Sequence, residues 1–143
     1  KDEERQILRS SARTDPVKFK KSKIKATAIT KAQKSINDIY VDEKVEEYIL
    51  NLVFSTRNPE DYNLGDLSQL IENGASPRAS ISLILASKAR AFLEGRGYIT
   101  PEDVRFIGKD VLRHRIILSY EAEAEEISSE DIIQRMFDSI EIP

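Results

Sequence analysis

At 143 residues, with 40% hydrophobic and 33% charged residues, the chain is long enough to bury a core as one domain and reads as mainly helical. A net charge of −3 disfavours a general nucleic-acid surface, and the absence of cysteine excludes disulfides and thiolate metal sites and fits a cytoplasmic location. No apolar run approaches the roughly 20 residues that a membrane span requires, and with no signal peptide and no Met before Lys1 the chain is expected to be a piece of a longer protein.

Lys1 to Ala12 reads as a short charged helix with Ile7 and Leu8 as its apolar contacts, broken at Thr14-Asp15-Pro16. Pro16 to Ala28 reads as an extended connector. Thr30 followed by Gln33 has the form of a capping box and is expected to open a helix reaching Ile36 to Ile39. After a brief extended link at Ile39-Tyr40-Val41, Asp42 caps an amphipathic helix. Val45, Tyr48, Ile49, Leu52 and Val53 recur there at helical spacing, and the helix ends near Ser55-Thr56-Arg57-Asn58-Pro59.

Pro59 to Asn73 is loop-like, with a short turn at Leu67-Leu70-Ile71. Ser76 and Pro77 signal the next helix, which runs to about Glu94. Ile81, Ile84, Leu85, Ala89, Phe92 and Leu93 are expected on its buried side, widened by Leu83 and Ala86. Gly95-Arg96-Gly97 stops it. Thr100-Pro101 opens a helix with Val104, Ile107, Val111 and Leu112 inward, and Arg115 to Ser119 fits either a strand or a helix end. Glu121 to Glu126 reads as an acidic solvated link, and Ser129 to Ile140 as a last helix burying Ile132, Ile133, Met136 and Phe137.

The stretch Gly74-Ala75-Ser76-Pro77-Arg78-Ala79 stands apart chemically. Starts at Asp42, Thr100 and Ser128 place carboxylates in the first turn, where unpaired backbone N–H groups and the helix dipole favour negative charge. The turn after Pro77 has none and carries Arg78 instead. A positive helix end reinforced by a guanidinium can receive an anion such as phosphate. The plain alternative is a surface arginine that costs a few tenths to about 1 kcal/mol at that position. Lys31 near Thr30 shows that the acidic habit has an exception.

A complete catalyst does not assemble from this sequence. His114 is the only histidine, which excludes a histidine metal cluster, and its cationic neighbours Arg113 and Arg115 fit packing or hydrogen bonding better than base catalysis. Gly108-Lys109-Asp110 lacks the earlier glycine and the following Ser or Thr of a phosphate loop. If Arg78 has a function, the rest of its site belongs to another segment.

Taken in series, the motifs resemble the lid domain of the MoxR family of AAA+ ATPases. Gly74-Ala75-Ser76-Pro77-Arg78-Ala79 resembles the sensor 2 motif. Val41-Asp42-Glu43, Tyr48-Ile49 and Ser55-Thr56-Arg57-Asn58-Pro59 look like the helix and Thr-Arg turn before it. Tyr98-Ile99-Thr100-Pro101-Glu102-Asp103-Val104 and Val111-Leu112-Arg113-His114-Arg115-Ile116 look like the later lid motifs. The similarity runs from Ile29 to Pro143, and Glu3 to Leu8 looks like the helix joining an ATPase core to its lid.

The resemblance implies an all-α small helical bundle with at most a short extended segment, residues 29–143 forming the lid and 1–28 the linker from a core not in this chain. It implies ATP as cofactor, with Mg supplied through that core. Arg78 would sense the γ-phosphate, with Gly74, Ala75 and Pro77 shaping the backbone beside the nucleotide, and the fragment alone would not be a catalyst. It implies a homo-oligomeric, hexameric ring, chaperone-like remodelling, partners bearing von Willebrand factor A domains, and neither nucleic acid nor a membrane span. Arg57 reads as a phosphate or interface contact or as a surface residue closing its helix. Arg113 and Arg115 read as structural hydrogen-bonding groups or as contacts to an adjacent subunit. The alternative function is a freestanding helical protein-interaction adaptor without nucleotide function.

Overall fold

The computed structural model describes residues 1–12 and 23–143, apart from the side chain of Ser11. The chain divides into two units, residues 1–31 and 32–143. In the first, α1 spans Asp2–Ser11, with Asp2, Glu3 and Glu4 in its first turn and Arg9 in its last, the charge order that the helix dipole favours. Ile7 and Leu8 are both exposed. The Thr14-Asp15-Pro16 break lies outside the described residues, as does most of the expected connector.

Helix α2 spans Ala26–Asn37, so it opens before the expected start. Thr30 is an interior residue whose hydroxyl donates to the Ala26 carbonyl at 3.2 Å, a back-bond open to Ser and Thr inside helices. The capping-box reading of Thr30 and Gln33 is therefore corrected, and Ala26 to Ala28 is helical rather than extended.

The second unit is a bundle of α3 (Glu43–Ser55), α4 (Pro77–Leu93), α5 (Pro101–Leu112) and α7 (Ser129–Ser139). The expected apolar face of α3 is buried from Val45 to Val53, and the Asp42 carboxylate accepts from the Lys44 amide at 3.0 Å. Ile132, Ile133, Met136 and Phe137 bury the inner face of α7, whose Ser128–Asp131 capping box is complete. These layers meet Leu83, Val104 and Leu112 in one core.

Helix α4 turns a different face inward from the one expected. Ala79, Leu83, Ser87 and Ala91 are buried at four-residue spacing, while Ile81, Leu85 and Leu93 are exposed. Ile84 and Phe92 pack at the edge of the core. The helix is apolar on both sides, so periodicity alone could not choose, and the small residues lie on the side where other elements pack closely. A Schellman motif ends it. The Arg96 amide reaches the Ala91 carbonyl at 2.8 Å and the Gly95 amide reaches Phe92 at 3.0 Å, with Gly95 at φ +73°.

Two short helical turns, Pro59–Tyr62 and Gly65–Leu67, order much of the expected loop. Strand β1 (Ile71–Asn73) pairs antiparallel with β2 (Ile117–Leu118), which resolves the Arg115 to Ser119 ambiguity in favour of a strand. The acidic link is not wholly solvated: Tyr120–Ala124 forms α6, capped by Ser119, with Ala122 buried. The Ile39-Tyr40-Val41 link bridges to Tyr98: the Tyr40 amide donates to the Gly97 carbonyl at 2.9 Å and its carbonyl accepts from the Ile99 amide at 3.1 Å.

Candidate functional site

The loop before α4 is fixed from two directions. Antiparallel pairing of β1 with β2 holds it at Asn73, immediately before Gly74. From the other side, the Ala75 amide donates to the Thr56 hydroxyl at 2.8 Å, and that hydroxyl donates in turn to the Val53 carbonyl at 2.7 Å. Gly74 is required by close approach: a Cβ there would lie 2.3 Å from the Thr56 carbonyl oxygen. Ala75 is fully buried. Its amide is committed to Thr56, and Gly74 is pressed onto the end of α3.

The fixed loop delivers the start of α4. Ser76 occupies the N-cap position without a side-chain cap, Pro77 is the first helical residue, and the first turn holds no acid. Both are exposed, as is Arg78. The Ala79 amide bonds the Ser76 carbonyl at 2.8 Å, which fixes the tight entry into the helix.

Arg78 differs from every other arginine between residues 23 and 143. Arg57 lies over the Phe54 ring at 4.3 Å. Arg115 donates to the Val111 carbonyl at 2.9 Å and the Ser82 hydroxyl at 3.1 Å, tying the end of α5 to α4. Arg113 pairs with Asp110 and with Glu130. Arg105 donates to the Phe137 carbonyl, and Arg135 pairs with Asp66. Among the described residues Arg78 has no hydrogen bond, ion pair or ring contact.

Arg90 and Arg96 converge on Asp103, a carboxylate nearly withdrawn from solvent. Arg96 holds both of its oxygens, at 2.8 and 2.6 Å, and Arg90 approaches at 3.3 Å while lying over the Phe106 ring. Asp103 also completes the capping box with Thr100. Burial pushes its carboxyl up, but the Arg96 hydrogen bonds and the Thr100 amide outweigh that and hold it below the usual carboxylate range. The same pairing pushes the Arg96 guanidinium further up. Sequence reading saw Asp103 only as a helix-start acid, because its partner Arg96 sits in the stop of the preceding helix.

A cleft of about 280 Å³ adjoins Gly74, walled by Arg57, Asn58, Glu60, Asp61 and Glu72. Three carboxylates against the single Arg57 cation give this cleft a net negative lining, which disfavours an anion there. The site residues read from sequence therefore separate. Gly74 and Ala75 are anchors to α3, Pro77 starts the helix, and Arg78 alone offers open charge. His114 is exposed and makes no hydrogen bond among the described residues, so the packing or bonding role expected for it is not found. The described residues hold no cluster of His, Cys, Asp or Glu that could bind a metal, and no helix is long and apolar enough to cross a membrane.

The described residues form a helical bundle with a small two-stranded sheet, and Arg78 stands unpaired at an acid-free helix start. Residues 66–136 match the AAA lid domain family, which assigns that segment to the lid class. Its similarity is to MoxR proteins. It is 35% identical over 142 residues to Chaperone MoxR1 of Mycobacterium tuberculosis, covering 99% of this chain and 37% of that protein. Protein MoxR of Paracoccus denitrificans is 36% identical over 105 residues, covering 69% of this chain and 31% of that protein. The crystal structure of a "putative ATPase" from Cytophaga hutchinsonii matches all of this chain and 43% of its own, with a TM-score of 0.88 and 36% identity. The chain thus spans well under half the length of these relatives.

Proposed function

We propose that this chain is the lid of a MoxR-type AAA+ ATPase and that Arg78 senses the terminal phosphate of ATP held by a separate core. One observation carries the reading. Arg78 is the arginine of residues 23–143 left without a partner, and it stands where backbone N–H groups already favour an anion. Bound ATP would supply the charge that distinguishes its γ-phosphate from ADP, with Mg held through the core.

The remaining residues position that guanidinium. Thr56 and Gly74 fix the loop to α3, the β1–β2 pair holds its other end, and Pro77 sets the helix start. A charge-assisted hydrogen bond from Arg78 would be worth roughly 1.5 to 3 kcal/mol, enough to bias a lid between two orientations. Residues 1–28 would form the linker and 29–143 the lid. The full protein would be cytoplasmic, assemble as a hexameric homo-oligomeric ring, and couple ATP hydrolysis to chaperone-like remodelling. Partners with von Willebrand factor A domains belong to the same proposal.

The test replaces Arg78 by Ala in the full-length protein and measures ATP hydrolysis and nucleotide-dependent assembly. Loss of either supports the sensor role. Both unchanged would refute it.

A further inference from the structure

We propose that Asn73-Gly74 is a latent deamidation site, shut in the folded chain and opened when the anchors on either side of it release. The inference stands apart from the phosphate reading of Arg78. Deamidation of asparagine needs the next backbone nitrogen to attack the carboxamide carbon, and a side chain on that next residue obstructs the approach. The chain has five asparagines, and Asn73 alone is followed by glycine. Asp38, Leu52 and Leu64 follow three of the others, and Pro59, which has no amide proton to give up, follows Asn58. Asn73 is exposed, so water and base reach it, and the described residues give its carboxamide no hydrogen bond.

The chemistry needs only water and base. The Gly74 amide gives its proton to solvent base, and its nitrogen bonds Asn73 Cγ. The Cγ–Nδ2 bond breaks and ammonia leaves with the proton returned, which closes a succinimide ring. Water then opens the ring at either carbonyl. Opening at Cγ gives aspartate in an unaltered main chain. Opening at the backbone carbonyl gives isoaspartate, with the main chain rerouted through Cβ and Cγ. Water is consumed and ammonia released, with no change of oxidation state.

The fold shuts the first step. Asn73 lies in β1 opposite Ile117, and ring closure requires rotation about its Cα–C bond out of the extended strand geometry. That rotation would swing Gly74 off Thr56, where a Cβ would already lie 2.3 Å from the carbonyl oxygen. It would also break the 2.8 Å bond from the Ala75 amide to the Thr56 hydroxyl. Cyclisation therefore waits on release of the β1–β2 pair or of the Thr56 anchor, and its rate follows the population of that open state. Isoaspartate lengthens the main chain between β1 and Gly74 by one carbon, so the two anchors cannot both re-form in their original geometry. Either product adds a carboxylate beside Glu72, at a cleft that already carries Glu60 and Asp61. A passing opening of the loop that delivers Arg78 is thereby recorded as a permanent change.

The test follows the 143-residue chain in mildly alkaline buffer by peptide mapping and mass, with aspartate and isoaspartate peptides separated by chromatography. In urea sufficient to unfold the chain, Asn73 is expected to convert fastest of the five asparagines. In the folded chain its conversion is expected to slow roughly tenfold or more. Thr56→Val, verified as folded by circular dichroism, is expected to convert Asn73 roughly fivefold or more faster than the parent, and Thr56→Ser to gain less. Equal rates at Asn73 in the folded and unfolded chains would overturn the proposal. A faster site elsewhere in the unfolded chain would overturn it too, as would equal rates in the Val variant and the parent. Should the Val variant fail to fold, a sub-denaturing urea series on the parent reads the same opening. The rate at Asn73 is then expected to rise with urea, and a flat rate would overturn the proposal.

Discussion

The Thr56 hydroxyl accepts the Ala75 amide at 2.8 Å, joining the end of α3 to the loop that delivers Arg78. The bond is buried, and the hydroxyl spends its own proton on Val53. With Gly74 packed against the same residue, Thr56 is the post on which the start of α4 turns.

Thr56→Val keeps the shape of the side chain and removes both hydrogen bonds. The buried Ala75 amide is then unsatisfied, so stability is expected to fall by about 1–3 kcal/mol. Thr56→Ser, which keeps the hydroxyl, is expected to lose less. Urea denaturation of the two variants beside the parent chain checks this, and equal stability of the Val and Ser variants would refute the anchoring role.

Asp103→Asn leaves Arg96 and Arg90 facing an uncharged group and weakens the capping box, for an expected loss of about 3 kcal/mol near neutral pH. The folded carboxyl is held below its ordinary value near 3.9. Its contribution is therefore fully present above that value and disappears as pH falls through the lower folded value. The stability gap between parent and variant should narrow below about pH 4. Denaturation midpoints at pH 7 and pH 3 measure it, and a gap of constant width would contradict the pairing.

Ser87 is buried in α4, and its hydroxyl has no hydrogen-bond partner among the described residues. Ser87→Ala removes an unsatisfied polar group and improves helix propensity. It is expected to raise stability by up to about 1 kcal/mol, read as a higher thermal midpoint. A lower midpoint would mean that the hydroxyl is satisfied in solution.

The helix starts at Asp42, Ser76, Thr100 and Ser128 were legible in the sequence because their chemistry is local: a small polar residue, then acids or proline. The buried faces of α3 and α7 were legible because most of their large apolar residues fall on one stripe, with only Leu50 and Phe54 of α3 outside it. Helix α4 was not, since Ile81 and Leu85 face outward while the small residues Ala79, Ser87 and Ala91 join Leu83 in the contact with the bundle. Thr30 misled for the opposite reason, as a capping residue that bonds backward within a helix already begun at Ala26. At the site, Arg78 stood out by the absence of acids around it. Its supports did not, because Thr56 with Ala75 and Arg96 with Asp103 are matched by folding and not by spacing.

The most direct measurement is nucleotide discrimination by the full-length protein, as the affinities for a non-hydrolysable ATP analogue and for ADP, with Arg78 and with Arg78→Ala. Loss of one charge-assisted hydrogen bond to the γ-phosphate is expected to weaken analogue binding roughly 10- to 150-fold while leaving ADP binding unchanged. Equal affinity changes for the two nucleotides, or none, would contradict the assignment of Arg78 as the phosphate sensor.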